Sequence, residues 1–448
     1  MTQDFPFRLS DPARFADALP DAADMVVIGG GVIGICTALF AARAGQRVVV
    51  LEKGRVAAEQ SSRNWGWIRQ QGRDPAEMPI MAEAQHIWTE LSRETNEQIG
   101  LQQTGTTYLG YGAAAMERYK DWLPHAAPNG ADSRLLSRAE IAAMYPDLTD
   151  RPVGALHTAS DFRAEPWVAV PAFAQLAQRA GAQIIEGCAV RCLDIANGKV
   201  TGVMTERGRI RAARVVLAGG AWSSLFLRNH GIGLPQLSVR SQVAATEALP
   251  DIGQVAASTK RLAFRRRADG GYTLAPNTMS ELFVGPDAFR ALPHFLNQLK
   301  SDPFGCMIKP YAPQGFPDAW GTPRSWGADD ETPFERMRIL DPKPQPRRIA
   351  KLARDFAAMF PHLGTVKIKK SWAGMIDTMP DIVPVVDHAP LEGLIVGTGM
   401  SGHGFGIGPA MGRILADLAM GHGAGHDMGR FRFNRFTDGT RMVPGPDV

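Results

Sequence analysis

Four groups of residues in this 448-residue chain have types and spacings suited to chemistry. The first is Gly29-x-Gly31-x-x-Gly34, with Val32 and Ile33 between the last two glycines and Glu52 on the next apolar run. Gly29 permits a tight turn, Gly31 lets the backbone approach a pyrophosphate, and Gly34 lets a helix pack close on a strand. Glu52 can accept from ribose hydroxyls. An acid there favours a free ribose diol, as in FAD or NAD, over the phosphorylated ribose of NADP. The second group is Val215 to Trp222, a buried run ending in Gly219-Gly220, where a backbone can approach a ligand or simply turn into a helix. The third is Gly397 to Pro409, with glycines at 397, 399, 402, 404, 406 and 408. It predicts a second helix N-terminus, started by Pro409, that can hold an anion or a dipole. His403, between Gly402 and Gly404, suits contact with a flat ring or is a satisfied structural residue.

The fourth group is the stretch SSRNWGWIRQQGRD, Ser61 to Asp74. Trp65 and Trp67 in a polar, Gly66-containing loop are costly to leave in water, so they close over something or staple the loop to the core. The fork of Arg69 matches a carboxylate bidentately, unless it pairs with Asp74 or Glu77. Elsewhere Tyr272 is a polar candidate for chemistry. Arg240, Arg265 and Arg324 are further candidate carboxylate partners, but read first as solvated surface charges.

These residues need elements to position them. Met25–Ile28 reads as a strand, Val32–44 as a helix and 47–51 as a second strand, a βαβ unit. The charge-free run 25–42 approaches the length of a membrane span, but its three glycines mark a strand, a turn and a buried helix. Residues 79–95 are amphipathic, 171–180 helical and 183–185 a strand. Residues 191–203 and 208–217 form a hairpin. From 239 to 284 short strands predict a separate antiparallel sheet, with a turn at 268–270. Residues 304–346 are rich in Pro, Gly and Trp and form an irregular excursion over a surface or a site. Residues 348–360 return to helix. The fold class is α/β and bilobal. A Rossmann-like part at 24–75, 150–235 and 365–425 interleaves with an antiparallel-sheet part at 76–149 and 236–364, and 1–23 and 426–448 are terminal extensions.

Bulk properties exclude several classes. Hydrophobic residues are 45% and charged residues 21%, a globular composition. The net charge of +4 comes without a dense basic tract, so nucleic acid is not a partner. The four cysteines lack metal-ligand spacing, so no metal is expected, and they fit a reducing compartment. The first 23 residues carry acids and prolines with no apolar stretch of a signal peptide, and the expectation is a cytoplasmic protein with no membrane span.

The βαβ fingerprint, VVLAGGAWS, SWAGMIDTMPDIVPVV (371–386) and GTGMSGHGFGIGP occur in that order. Together they resemble the D-amino acid oxidase-like family of FAD enzymes, the glycine oxidase and sarcosine oxidase type. The resemblance implies a flavin held between the two parts and oxidation of a C–N bond by hydride transfer to the flavin. It assigns Gly29, Gly31, Val32, Ile33, Gly34, Glu52 and Lys53 to the ADP part and Val190 to the adenine. Ser61, Ser62 and Arg63 fall to phosphate and ribityl, and Asn64, Trp65, Gly66 and Trp67 to the ring edge. Gly219, Trp222 and Gly374 complete the walls, and Gly402, His403, Gly404, Phe405, Gly406 and Ile407 surround the pyrimidine end. Arg69 is the implied substrate-carboxylate partner, and His403, Tyr272 and Trp67 are candidates around the reacting centre. Relatives with covalent flavin use a His near the first loop or a late Cys. Here those positions hold Arg63 and the Ser371-Trp372 region, so non-covalent FAD is expected. The implied substrate is a small amine or amino acid, secondary or N-substituted, with O2 or an electron carrier as acceptor. Oxidation of a 2-hydroxy acid, or a flavin-carrying subunit of an electron-transfer assembly, are the rival readings. Nothing in the sequence sets the number of subunits.

Overall fold

Short β-branched runs bounded by glycines build the central sheet. The computed structural model describes residues 5–277, 280–301 and 305–445. Six strands lie in the spatial order Val385–His388, Leu394–Thr398, Val215–Leu217, Met25–Ile28, Val48–Glu52 and Gln183–Glu186. All neighbours are parallel except the first pair. Val26, Val27, Val49 and Val50 are buried, as strands covered on both faces must be. Val32–Arg43 and Gly404–Met420 pack against each other on one face. They approach closely because Gly408 sits on Val32 and Gly412 on the Cys36 backbone, where a Cβ would collide. The run 25–42 is therefore strand, turn and buried helix, and among the described residues no helix is long and apolar enough to cross a membrane.

A second, largely antiparallel sheet of ten strands runs from Cys306–Lys309 through Ser280–Phe283, Leu237–Thr246, Tyr272–Ala275, Ala263–Arg266, Ala256–Ser258, Thr106–Gly110 and Gly154–Thr158 to Arg134–Leu136. Ile368–Thr378 pairs with Leu237–Thr246 over ten positions. Two of these strands, Gly154–Thr158 and Ile368–Thr378, come from segments the sequence grouped with the first sheet. The expected hairpin after residue 190 is a three-stranded sheet, Val190–Ala196, Lys199–Thr205 and Gly208–Arg211.

Several boundaries move for reasons of proline chemistry. The helix expected from Pro171 starts a turn earlier, at Pro166, where a missing N–H costs nothing, and Pro171 lies inside it. The last helix likewise starts at Gly404, with Pro409 inside it instead of at its start. The glycine-rich loop thus supplies that helix's own first turn. Pro286–Ser301 is a helix not foreseen between the short strands. The expected excursion begins at Phe304, outside the described residues, as do the ends of both terminal extensions. Within it lie Cys306–Lys309 and a short capped helix, Pro333–Arg336.

Candidate active site

The ends of the parallel strands and the first turns of their helices open onto a cavity of about 610 Å³. At the first turn Gly29 has φ +112°, and a Cβ on Gly34 would meet the Gly29 carbonyl. Gly34 serves packing and does not border the cavity, whereas Gly29, Gly31, Val32 and Ile33 do. Glu52 closes this turn: its Oε2 accepts from Gly30 N–H at 2.8 Å and its Oε1 from Gly54 N–H at 2.7 Å. Burial pushes the Glu52 carboxyl up to about 7. Ser61 Oγ accepts from Val32 N–H at 2.8 Å, at the helix N-terminus.

A polar strap crosses this part of the cavity. Lys53 Nζ donates to Glu59 (2.6 Å) and to the carbonyl of Met337 (3.0 Å), and lies 4.4 Å from the ring centroid of Trp222. Trp222 Nε1 and Leu340 N–H also donate to Glu59. Arg338 pairs with Glu206 and Arg191 with Glu335. Phe334 thereby joins Val190, Gly219 and Trp222 in the cavity wall. Part of the irregular excursion thus lies against the cavity, and neither Glu59 nor Phe334 carried a sequence signal.

The tryptophan loop forms another wall. Gln60–Arg63 is a helical turn, and Trp67–Ile68 pairs with Phe162–Arg163. Trp65 and Trp67 meet edge to face at 5.3 Å, and both border the cavity with Asn64. Arg63 turns inward. Its Nε donates to the Ala58 carbonyl and its Nη1 to the Ala373 carbonyl and Asp341, while Nη2 is buried without a partner. Ser62 lies under the loop, off the cavity. Gly66 (φ +79°) was expected to admit a flat ring. Instead the Ala164 carbonyl and the Arg265 guanidinium fill the space its Cβ would need. Arg265 is not a surface charge: it is fully buried, forks onto Glu165 at 2.9 and 3.0 Å and donates to the Trp65 carbonyl. Arg240 and Arg324 are paired with Glu281 and Asp318.

Arg69 borders the cavity with its guanidinium 5.6 Å from the Tyr108 ring centroid and a donor on the Gln71 carbonyl. Among the described residues it has no carboxylate partner, so neither Asp74 nor Glu77 takes it. Arg73 does pair with Glu77, at 3.4 Å, and also donates to the carbonyls of Arg69 (3.0 Å) and His403 (3.2 Å). His403 Nδ1 lies 3.1 Å from Glu77 Oε2. Burial, then Arg73, pushes the His403 imidazole down to about 4. Burial would raise Glu77, but His403, Arg73 and Arg69 outweigh it and hold the carboxyl below its ordinary range. Gly402, His403, Gly404 and Phe405 border the cavity. Gly406 packs on Ile68 and Arg73, Ile407 is in the core, and neither borders it. Gly374 borders it beside Arg63.

Tyr272 does not reach the site. Its ring packs on Phe356 inside the second core, and its hydroxyl is used by Ile252 N–H, Arg266 and the Pro250 carbonyl. Alternation along its strand points it to the far face of the sheet. Asp377, within a stretch singled out in the sequence but given no role, accepts from Gly399 N–H at 2.7 Å and holds the glycine-rich turn.

The chain is 29% identical over 245 residues to human mitochondrial sarcosine dehydrogenase, a match spanning 52% of this chain and about a quarter (26%) of that longer protein. It is 25% identical to sarcosine oxidase subunit beta of Rhizobium meliloti strain 1021, over 93% of this chain and 89% of that one. Among solved structures, the L-amino acid deaminase from Proteus myxofaciens in complex with anthranilate superposes with a TM-score of 0.89 at 27% identity, over 95% of this chain and 97% of that one. The family model for FAD dependent oxidoreductases, DAO, matches residues 24–418, and the chain belongs to that family.

Proposed function

We propose that this protein oxidises the C–N bond of a small amino acid or amine carrying a carboxylate, secondary or N-substituted, with non-covalent FAD as the hydride acceptor. The imine product hydrolyses in water. The observation that carries this reading is Arg69, a cavity-lining guanidinium without a carboxylate of its own. It is joined through Arg73 to a neutral His403. A bidentate anion site beside a neutral imidazole suits an amino acid that binds with its amine uncharged. The names of the relatives, sarcosine oxidase and L-amino acid deaminase, point to the same substrate class.

The cavity fits FAD. The Gly29 turn and the helix start at Val32 would take the pyrophosphate, Glu52 the ribose, and Val190, Trp222 and Phe334 the adenine end. The unpartnered Nη2 of Arg63 supplies a buried donor at the wall. Gly402 to Phe405, at a helix N-terminus, would face the pyrimidine end and stabilise charge there. FAD supplies the redox chemistry. The chain's residues bind and orient the substrate and, through Trp65 and Trp67, exclude water. The parallel sheet with its helices forms the FAD part and the ten-stranded sheet the substrate part. Four free cysteines fit a reducing cytoplasm.

Adding sarcosine, glycine, N-methyl-L-tryptophan and 2-hydroxy acids one at a time to anaerobic protein tests the reading: bleaching of the flavin band by an amino acid supports it, and bleaching by 2-hydroxy acids alone rejects it. A second reading, a flavin-carrying subunit of a larger electron-transfer assembly, is favoured by the near full-length likeness to a sarcosine oxidase subunit. Gel filtration of protein purified from its native host separates the two.

A further inference from the structure

Glu77 does not border the cavity, yet it is fully buried and its carboxylate is turned toward a residue that does. Its Oε2 meets His403 Nδ1 at 3.1 Å and Arg73 Nη1 at 3.4 Å, and its Oε1 has no hydrogen-bond partner. A carboxylate with a buried open oxygen is an expensive way to satisfy one arginine, because burying a charge costs several kcal/mol unless its partners are well placed. Arg73 is moreover already bonded to two backbone carbonyls. The contact with a site imidazole remains to be accounted for.

We propose that Glu77 is a positioning residue for His403: it takes the Nδ1 proton in a hydrogen bond, which leaves Nε2 on the cavity side as the acceptor for an N–H of the amine being oxidised. This rests on the amine-oxidising reading above. An ionised carboxylate only accepts, so Nδ1 must carry a hydrogen, and a neutral imidazole then has a lone pair at Nε2 alone. The charged groups around the ring support this. Burial weighs most against a charged ring, the cations Arg73 and Arg69 add to it and Glu77 opposes them, so the ring stays neutral at neutral pH. The same surplus of positive charge disfavours an ammonium and favours a carboxylate. Arg69 would then hold the carboxylate and His403 Nε2 the neutral amine. Arg73 ties the two together through their carbonyls.

The test is a long-range 1H–15N correlation spectrum of the oxidised holoenzyme labelled with [15N]histidine, with the His403 signals assigned by their loss in His403→Asn. The expected result is a single Nδ1–H tautomer at neutral pH that moves toward a mixture with the Nε2–H form in Glu77→Gln, whose amide can donate as well as accept. A wild-type His403 in the Nε2–H form, or charged, overturns the proposal without any variant having to fold. Ligand affinity supplies the second arm: the Kd of sarcosine from the concentration dependence of anaerobic flavin reduction, and that of methoxyacetate, in which an ether oxygen replaces the N–H, from its perturbation of the oxidised flavin spectrum. Glu77→Gln should weaken sarcosine about tenfold, the scale of one hydrogen bond, and leave methoxyacetate unchanged. Equal losses for both ligands, or none for either, overturn it, since a merely structural ion pair would not distinguish them. A flavin that no amine reduces overturns the functional reading, and with it the amine's part here, whatever the tautomer.

Discussion

Glu52 and Arg69 border the same cavity, and each makes a prediction about what it holds. Burial raises the Glu52 carboxyl to about 7, so in the free protein it is partly protonated at neutral pH. Ribose hydroxyls donate more strongly to the ionised form, so FAD binding lowers this pKa and releases a proton. Affinity should therefore rise with pH up to about 7 and then level off, and Glu52→Gln should flatten that dependence, as fluorescence titration across pH can check. The sign for the free protein is the opposite: a raised carboxyl contributes stability that is lost as pH rises toward 7. At Arg69, Arg69→Lys keeps the charge but loses the fork. It should cut kcat/KM for an amino acid about 10- to 100-fold, the worth of a charged hydrogen bond, with little change for an amine lacking the carboxylate. Steady-state kinetics on the two substrates decides.

At the scale of elements, the first turn was legible because every residue in it answers to local geometry. Gly29 needs its positive φ, Gly34 needs the room, and Glu52 ends the neighbouring strand. Gly66 was read as room for the flavin edge, whereas the space its Cβ would need is filled by the Ala164 carbonyl and by Arg265, 199 residues away in sequence. Tyr272 was misplaced because a period of two says that a strand has two faces and not which one meets the cavity. The contacts of Glu77 and Arg73 with His403 were invisible for a related reason: His403 lies more than three hundred positions away. The start of the last helix was misjudged because Pro409 looked like a first residue, whereas the glycines before it had already begun the helix. Two element-scale predictions follow from packing. Arg265→Met takes from buried Glu165 its forked partner, leaving Arg163 at 3.5 Å, and should cost about 3 kcal/mol in denaturant unfolding, while loosening the Trp65 loop. Gly412→Val forces a side chain into the Cys36 backbone at the crossing of two central helices and should cost about 1–3 kcal/mol, read as a lowered Tm.

At the scale of the whole molecule, the two large sheets meet around the cavity, with a strap from the second reaching over the first. Lys53, Glu59, Arg63 and Glu206 on one side meet Met337, Leu340, Asp341 and Arg338 on the other. Bound FAD should therefore stabilise the molecule as a unit, by about 3 kcal/mol when free FAD is a hundredfold above its Kd. A single calorimetric transition that moves up with FAD would show it. On the proposed non-covalent binding of FAD, acid denaturation followed by filtration should release the yellow colour from the protein. The most direct test of the central claim is the anaerobic visible spectrum of the purified protein during titration with amino acids. An oxidised flavin band should bleach with a carboxylate-bearing amine and do so poorly in Arg69→Lys. A colourless protein that FAD cannot reconstitute, or a flavin that no amine reduces, would contradict it.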